Sequence, residues 1–300
     1  MIVRLIVFDG VVPVFRGGFQ LKWRKMADSP FRAEPAKNAL VHAWRMSGRS
    51  RVHAHRRRAG AFGLAADDYH RYRPRYPAAL VTSLVTVYGE CALDVGAGTG
   101  IASAQLQEAG AVVLAVEPDP RMARVVSDQA IPVEVATFED WDAAGRSFDL
   151  VLFAQSFHWV DPDIALPKVA SILRPDGRLA LLSNRITPLS PTQPQLDEGY
   201  AGLLDASARP SIDAVHDSGL MAAIERHGYT MERRSVTESL HYTTDAWVDM
   251  VFTYSNVLML TSEDRSELRS RLRQLIGGGG VDAANDAVAV ICSPSGSERQ

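Results

Sequence analysis

The chain has little cysteine: two in 300 residues, Cys91 and Cys292. Two thiols so far apart build neither a disulfide framework nor a zinc-binding spacing, which fits a reducing, cytoplasmic setting with no metal site. Long apolar runs are also missing. None reaches the roughly 20 residues of a membrane helix, so no membrane span is expected. Met1 to Val14 is apolar, but Arg4, Asp9, Gly10 and Pro13 interrupt it. No small-residue cleavage site follows, so a secretory signal is not expected either. Internal repeats are absent. What remains is ordinary for a globular protein, 46% hydrophobic and 22% charged, long enough for one large domain or two smaller ones.

Charge of one sign is scarce only locally. Residues 1–60 hold thirteen Lys or Arg against three Asp or Glu, a net of +10, which leaves −13 on the remaining 240 residues. This arm lacks sustained periodicity and ends in Arg56-Arg57-Arg58. Its composition predicts a disordered extension, with Met46 as an alternative start; a basic arm for an acidic surface or nucleic acid is the other reading. Residues 61–90 change character. In Tyr69-His70-Arg71-Tyr72-Arg73-Pro74-Arg75-Tyr76-Pro77 aromatics alternate with arginines. Two prolines fix the path before a helix expected over 78–88. This segment reads either as a solvated arginine face over packed tyrosines or as a lid over a bound cofactor.

From residue 91 strands and helices alternate. The pattern predicts strands at 91–95, 111–117, 133–137, 148–154 and 178–183, with helices at 101–109, 120–129 and 164–173 between them. The strand at 148–154 is almost wholly apolar, as in one buried on both faces. Such a rhythm implies a parallel sheet with right-handed crossovers, an α/β doubly wound fold. Beyond residue 186 the reading is a proline-rich stretch with short helices, a helix at 219–227, a strand at 229–241, helices at 244–260 and 262–276, and a last strand at 286–293. The expected division is a cofactor-binding core at 91–185, a C-terminal half with a helical cap at 186–293, and a frayed tail at 294–300.

The chemistry concentrates where the first of these strands ends, in Asp94-Val95-Gly96-Ala97-Gly98-Thr99-Gly100. Glycines at alternate positions let a ligand lie on bare backbone beside the N-terminus of the next helix. Glu117 ends the second strand, seventeen residues after Gly100. A carboxylate there offers paired acceptors to two ribose hydroxyls; the plainer reading is a surface Glu capping the next helix. The dinucleotide fingerprint G-x-G-x-x-G/A is not met, because Ile101 holds the third small position, and no Walker lysine follows. Asp94 repels phosphate and suits a ligand bearing an ammonium group.

These residues resemble the class I S-adenosylmethionine-dependent methyltransferases. The glycine turn looks like their first motif and Val116-Glu117-Pro118-Asp119 like their acidic second-strand motif. Phe138-Glu139-Asp140-Trp141 resembles their adenine loop. Phe148-Asp149-Leu150-Val151, Gln155-Ser156-Phe157-His158-Trp159 and Leu173-Arg174-Pro175-Asp176-Gly177 resemble the later motifs. The likeness spans roughly residues 61–185. The Arg73-Pro74-Arg75-Tyr76-Pro77 opening is similar to that of a small-molecule subgroup that includes trans-aconitate and quinone-biosynthesis methyltransferases.

The resemblance implies a Rossmann-like seven-stranded sheet with its last strand antiparallel, plus a helical cap. It implies S-adenosyl-L-methionine as cofactor and a small-molecule methyl acceptor. Gly96, Gly98 and Gly100 would line the methionine and ribose portion, with Asp94 near the amino group. Glu117 would hold the ribose, and Pro118 would flank the adenine. Phe138 would offer its backbone N–H to the ring. Many relatives carry Asp just before that position; this chain has Thr137, and Glu139 stands in as the expected acceptor. Gln155 would face the methyl donor, and Tyr69 and Arg73 would belong to the lid. His158 is the candidate general base, against a packing role beside Trp159. Phe62, Trp159, Trp247, Phe252 and Tyr254 either line an acceptor pocket or fill core. The missing Asn/Asp-Pro-Pro-aromatic turn after the fourth strand argues against nucleic-acid amino-methylation. A non-catalytic S-adenosylmethionine-binding regulator and an NAD(P)-dependent oxidoreductase are the alternatives.

Overall fold

The computed structural model describes residues 11–14, 22–25, 63–204 and 214–295. The chain divides into two units, 1–53 and 54–300. In the first, β1 (Val11–Val14) and β2 (Lys22–Lys25) pair antiparallel, where the sequence predicts no regular element. The rest of the basic arm, including its expected disorder, lies outside the described residues, as does Phe62.

In the second unit α1 (Ala66–Tyr72) and α2 (Ala78–Thr82) precede a seven-stranded sheet. Its strands are β3 (Cys91–Val95), β4 (Val112–Val116), β5 (Val133–Glu134), β6 (Phe148–Ala154), β7 (Leu173–Ser190), β8 (Tyr229–Tyr242) and β9 (Val281–Pro294). The intervening helices are α3 (Ile101–Glu108), α4 (Pro120–Asp128), α5 (Pro162–Ile172), α6 (Gln193–Tyr200), α7 (Ser218–Arg226), α8 (Thr244–Val251), α9 (Ser255–Leu258) and α10 (Ser262–Ile276). The spatial order is β5-β4-β3-β6-β7-β9-β8. The first five strands pair parallel, and β9 enters antiparallel between β7 and β8.

Side chains alternate across the sheet, as a period of two requires. On β6, Val151 and Phe153 enter one core with α5 and α7, while Leu150 and Leu152 enter the other with α2 and α3. A third apolar cluster joins α6, α8 and α10 to the start of β9 through Leu196, Trp247, Val251, Leu268 and Val281.

The differences from the sequence reading have local causes. The helix expected over 78–88 stops at Thr82. Ser83 Oγ donates to the Leu80 carbonyl at 2.7 Å, and the Thr86 N–H and hydroxyl both donate to Glu90, which diverts the backbone. The single helix expected over 244–260 breaks at 252–254. There the Thr253 hydroxyl donates to the Met250 carbonyl, and the Thr253 carbonyl accepts from Arg73 Nη2 at 3.2 Å. The strand expected over 133–137 keeps only two residues, because Thr137 turns the chain by bonding Asp140. The strands expected at 178–183 and 286–293 are far longer. Past Ala154, β7 has lost β6 as a neighbour and pairs with β9 alone. A free edge tolerates the polar and proline residues that conceal the extension.

One buried ion pair fastens the sheet's amino end. Arg178 of β7 donates to Glu90 Oε1 at 2.7 Å and also to the Leu84 carbonyl; the two side chains are 12% and 4% exposed. Removing one partner of such a pair leaves the other charge buried. Glu90→Ala should therefore cost about 3–5 kcal/mol in urea unfolding. Asp128→Ala, which breaks an exposed pair with Arg124, should leave the midpoint within error.

Candidate active site

The strand order reverses beside β3, so the crevice between the carboxyl ends of β3 and β6 is where this architecture places ligands. The glycine turn closes its floor. The Gly96 and Ala97 N–H groups donate to the Val116 carbonyl at 2.8 and 3.2 Å. Gly98 N–H donates to Glu117 Oε2 at 2.8 Å, and Gly100 N–H to the Ala97 carbonyl at 2.9 Å. Gly96 has φ +64°, and a Cβ there would lie 2.7 Å from Ser156 Cβ. Ser156 is the docking partner the sequence reading missed: its hydroxyl donates to the Val95 carbonyl at 2.5 Å. Gly98 has φ +59° and, among the described residues, nothing within 4 Å of where a Cβ would stand, so its backbone is bare there.

Two carboxyls flank this opening. Asp94 is fully buried at the end of β3; Ser103 Oγ donates to its Oδ2 at 2.6 Å, and its Oδ1 has no partner among the described residues. Burial raises its pKa to about 6 against the pull of Ser103. Glu117, 7% exposed, follows β4, and its oxygens accept from the N–H groups of Gly98 and Asp119. Burial raises it to about 7, with those N–H groups pulling the other way. An orphaned buried carboxylate oxygen calls for a donor or a cation. The open backbone at Gly98, the unmatched Asp94 oxygen and the Glu117 carboxylate together fit a cationic nucleoside with an ammonium group.

The remaining residues lie at the same end of the sheet. Pro118 is exposed beside Glu117. The Phe138 ring is core, edge-on to Phe153 at 5.4 Å, so only its backbone can serve a ligand. Glu139 Oε1 accepts from the Asp161 N–H at 3.3 Å, which commits part of the carboxylate expected for adenine to the start of α5. His158 sits in the single turn Phe157–Trp159, its ring 4.6 Å from that of Trp159. Trp247 and Phe252 are buried in the third apolar cluster, with Tyr254 packed against it.

The segment before the sheet is tied down on both sides. His70 Nδ1 lies 3.2 Å from Thr99 Oγ1 in the glycine turn. The Arg73 guanidinium lies over the rings of Tyr69 (4.8 Å) and Tyr254 (4.2 Å) while donating to Thr253. Tyr76 is clamped by Gln105, which accepts from its N–H and donates to its carbonyl. From there a polar relay crosses the sheet end. Tyr76 OH donates to Gln155 Oε1 at 3.2 Å, and Gln155 Nε2 to the Asn184 carbonyl at 3.2 Å. Asn184 Nδ2 donates to the Arg75 carbonyl at 3.0 Å, and Asn285 Nδ2 to Asn184 Oδ1 at 3.3 Å. Burial holds the Tyr76 phenol well above its usual range, so it stays a donor. Tyr76 lies in the Arg73–Pro77 opening but was not singled out as a site residue, and Asn184 and Asn285 fall in no motif.

Comparison with known proteins places this geometry. A methyltransferase-domain family profile matches residues 93–181. An uncharacterized methyltransferase of Mycobacterium tuberculosis is 34% identical over 72% of this chain and 85% of its own. The chain belongs to the class I S-adenosylmethionine-dependent methyltransferases. A malonyl-[acyl-carrier protein] O-methyltransferase of Herminiimonas arsenicoxydans is 28% identical over 53% of this chain and 64% of its own. A solved structure from Anaeromyxobacter dehalogenans, assigned as a type II methyltransferase, aligns with TM-score 0.55 and 25% identity over 74% of this chain and 98% of that one. The methyltransferase therefore takes its methyl group from S-adenosylmethionine, and the NAD(P)-dependent alternative falls away.

The raised carboxyls give the ligand-free methyltransferase a definite pH dependence. In the unfolded chain both groups ionise near pH 4, but in the fold Asp94 and Glu117 keep protons to about 6 and 7. The native state thus binds more protons between these values, and stability falls as pH rises through them. Asp94→Asn should raise the ligand-free melting temperature at pH 8, by an amount equivalent to at most about 3 kcal/mol. The gain should shrink at pH 5. A differential scanning calorimetry series from pH 5 to 8 checks this.

Proposed function

We propose that this methyltransferase acts on a small organic acceptor enclosed beneath the 63–77 segment. One observation carries the reading: that segment crosses the carboxyl ends of the strands and is fastened to the glycine turn through His70–Thr99 and to the Thr253–Tyr254 break through Arg73. A strap fixed on both sides suits a small ligand and blocks a flat macromolecular surface. It also supports reading the 61–90 segment as the lid, and, of the helices in 195–228 and 244–276, α6, α8, α9 and α10 as the cap, since α7 packs into the core with β6. Among the described residues no helix is long and apolar enough to cross a membrane.

The cofactor supplies an activated sulfonium methyl. Asp94 would hold its ammonium end, and Gly96, Gly98 and Gly100 would bring backbone against its chain. Glu117 would accept from the ribose hydroxyls, while Pro118, Phe138 and Glu139 would border the purine. Tyr69 and Arg73 close the lid, and Gln155, oriented by Tyr76 and Asn184, faces the reaction centre. These residues orient reactants and exclude water, which can supply up to about 7–11 kcal/mol. For a hydroxyl or acidic-carbon acceptor His158 takes the proton; a carboxylate acceptor needs no base.

Three outcomes test this. S-adenosylhomocysteine at about a hundredfold over its Kd should stabilise the protein by about 2.7 kcal/mol, and NAD(P) should not. Incubated with methyl-labelled cofactor and host extract, the protein should label the low-mass fraction; label confined to protein or nucleic acid would contradict the small-acceptor reading. With a hydroxyl acceptor, His158→Ala should lower kcat about 10²–10⁴-fold while leaving S-adenosylhomocysteine affinity unchanged.

A further inference from the structure

One side chain from a distant helix gathers the turn at 137–141. Lys168 lies on α5, flanking the buried face formed by Ala165, Leu166, Val169 and Ile172. Its stem follows the core, and its ammonium ends among the carbonyls of the turn. Nζ donates to the Phe138 carbonyl at 2.6 Å, to the Glu139 carbonyl at 3.2 Å and to the Trp141 carbonyl. An ammonium has three protons, so all of its donors are spent on this one turn. The same ammonium lies 5.1 Å from the Phe138 ring centroid and 5.8 Å from that of Trp141, within range of cation–π attraction.

This arrangement fixes the direction of the turn's N–H groups. In a planar trans peptide the carbonyl and the following N–H point opposite ways. Drawing the carbonyls of Phe138 and Glu139 inward to Lys168 therefore turns the N–H groups of Glu139 and Asp140 away from it. The Thr137 carbonyl is held in turn by the Trp141 N–H at 2.9 Å, which orients the Phe138 N–H. Asp140 N–H is taken by Thr137 Oγ1 at 3.3 Å. The Phe138 and Glu139 N–H groups are thus set by contacts on the core side of the turn. The side chain at 137, a threonine, bonds Asp140 rather than reaching outward.

We propose that Lys168 is a positioning residue for the adenine end of the cofactor site, holding the 138–141 turn so that its N–H groups meet the purine. The proposal rests on the S-adenosylmethionine reading above. Its test uses two probes: S-adenosylhomocysteine, and 5′-methylthioadenosine, which keeps the adenine and lacks the amino-acid tail. Titration calorimetry is run on the wild type, Lys168→Met, Lys168→Gln and Lys168→Arg, each well below its own melting temperature. Lys168→Gln keeps two donors and serves if the Met variant does not fold.

Lys168→Met should weaken both probes by the same factor, about tenfold, because two N–H contacts lose their alignment. Lys168→Gln should fall between, and Lys168→Arg should recover most of the affinity. A lysine that only stabilised the fold would lower the melting temperature and leave both affinities unchanged, which would overturn the proposal. Loss of S-adenosylhomocysteine binding alone would overturn it as well, since the damage would then lie at the amino-acid end. A wild type that binds S-adenosylhomocysteine but not methylthioadenosine would contradict adenine anchoring. A wild type that binds neither probe would instead sink the cofactor reading itself.

Discussion

The turn between β3 and α3 makes too few hydrogen bonds of its own to hold a shape, so its neighbours hold it. The Val116 carbonyl takes two of its N–H groups and Glu117 a third. Ser156 grips the strand end at Val95, Gln129 donates to the Thr99 carbonyl at 2.8 Å, and His70 meets the Thr99 hydroxyl. Strands β4 and β6, helix α4 and the 63–77 segment therefore all converge on the five-residue turn 96–100 and the strand end before it, with little side-chain bulk. The bare backbone of this turn is held only because the sheet, one helix and the 63–77 segment surround it.

The same convergence explains the electrostatics. Glu117 cannot leave the interior, since its carboxylate is what ties the turn to β4, and Asp94 is sealed into β3 with Ser103 over one oxygen. Two carboxyls buried away from water are unfavourable in the ligand-free fold, and burial makes them retain protons to about 6 and about 7. On the proposed reading, a cationic, hydroxyl-bearing ligand would supply charge and donors to them. Of these carboxylate oxygens only Asp94 Oδ1 has no partner among the described residues, and on that reading the ligand's ammonium would satisfy it.

What the sequence shows clearly is local: the glycine turn, the acid after β4, the apolar β6, the α/β alternation and the antiparallel last strand that the resemblance implies. What it hides is assembled across distance. Tyr76 and Gln155 are 79 residues apart, and Asn184 and Asn285 are 101 apart. Gln155 is legible from its motif, but its pairing with Tyr76 is not, and Asn184 and Asn285 taken singly are ordinary polar residues. Lys168 reads as one more charge on a helix until the 138–141 turn folds onto it. The ends of β7 and the break after α8 depend on partners, β9 and Arg73, that no local pattern announces.

The central claim is that the two buried carboxyls ionise against the bound cofactor. Titration of S-adenosylhomocysteine at pH 6.5 in buffers of different ionisation enthalpy measures it directly, as the number of protons exchanged on binding. The account predicts net proton release to the buffer, because the ligand's ammonium and hydroxyl donors favour the ionised forms of Asp94 and Glu117. Binding with no proton exchange, or with uptake, would contradict it.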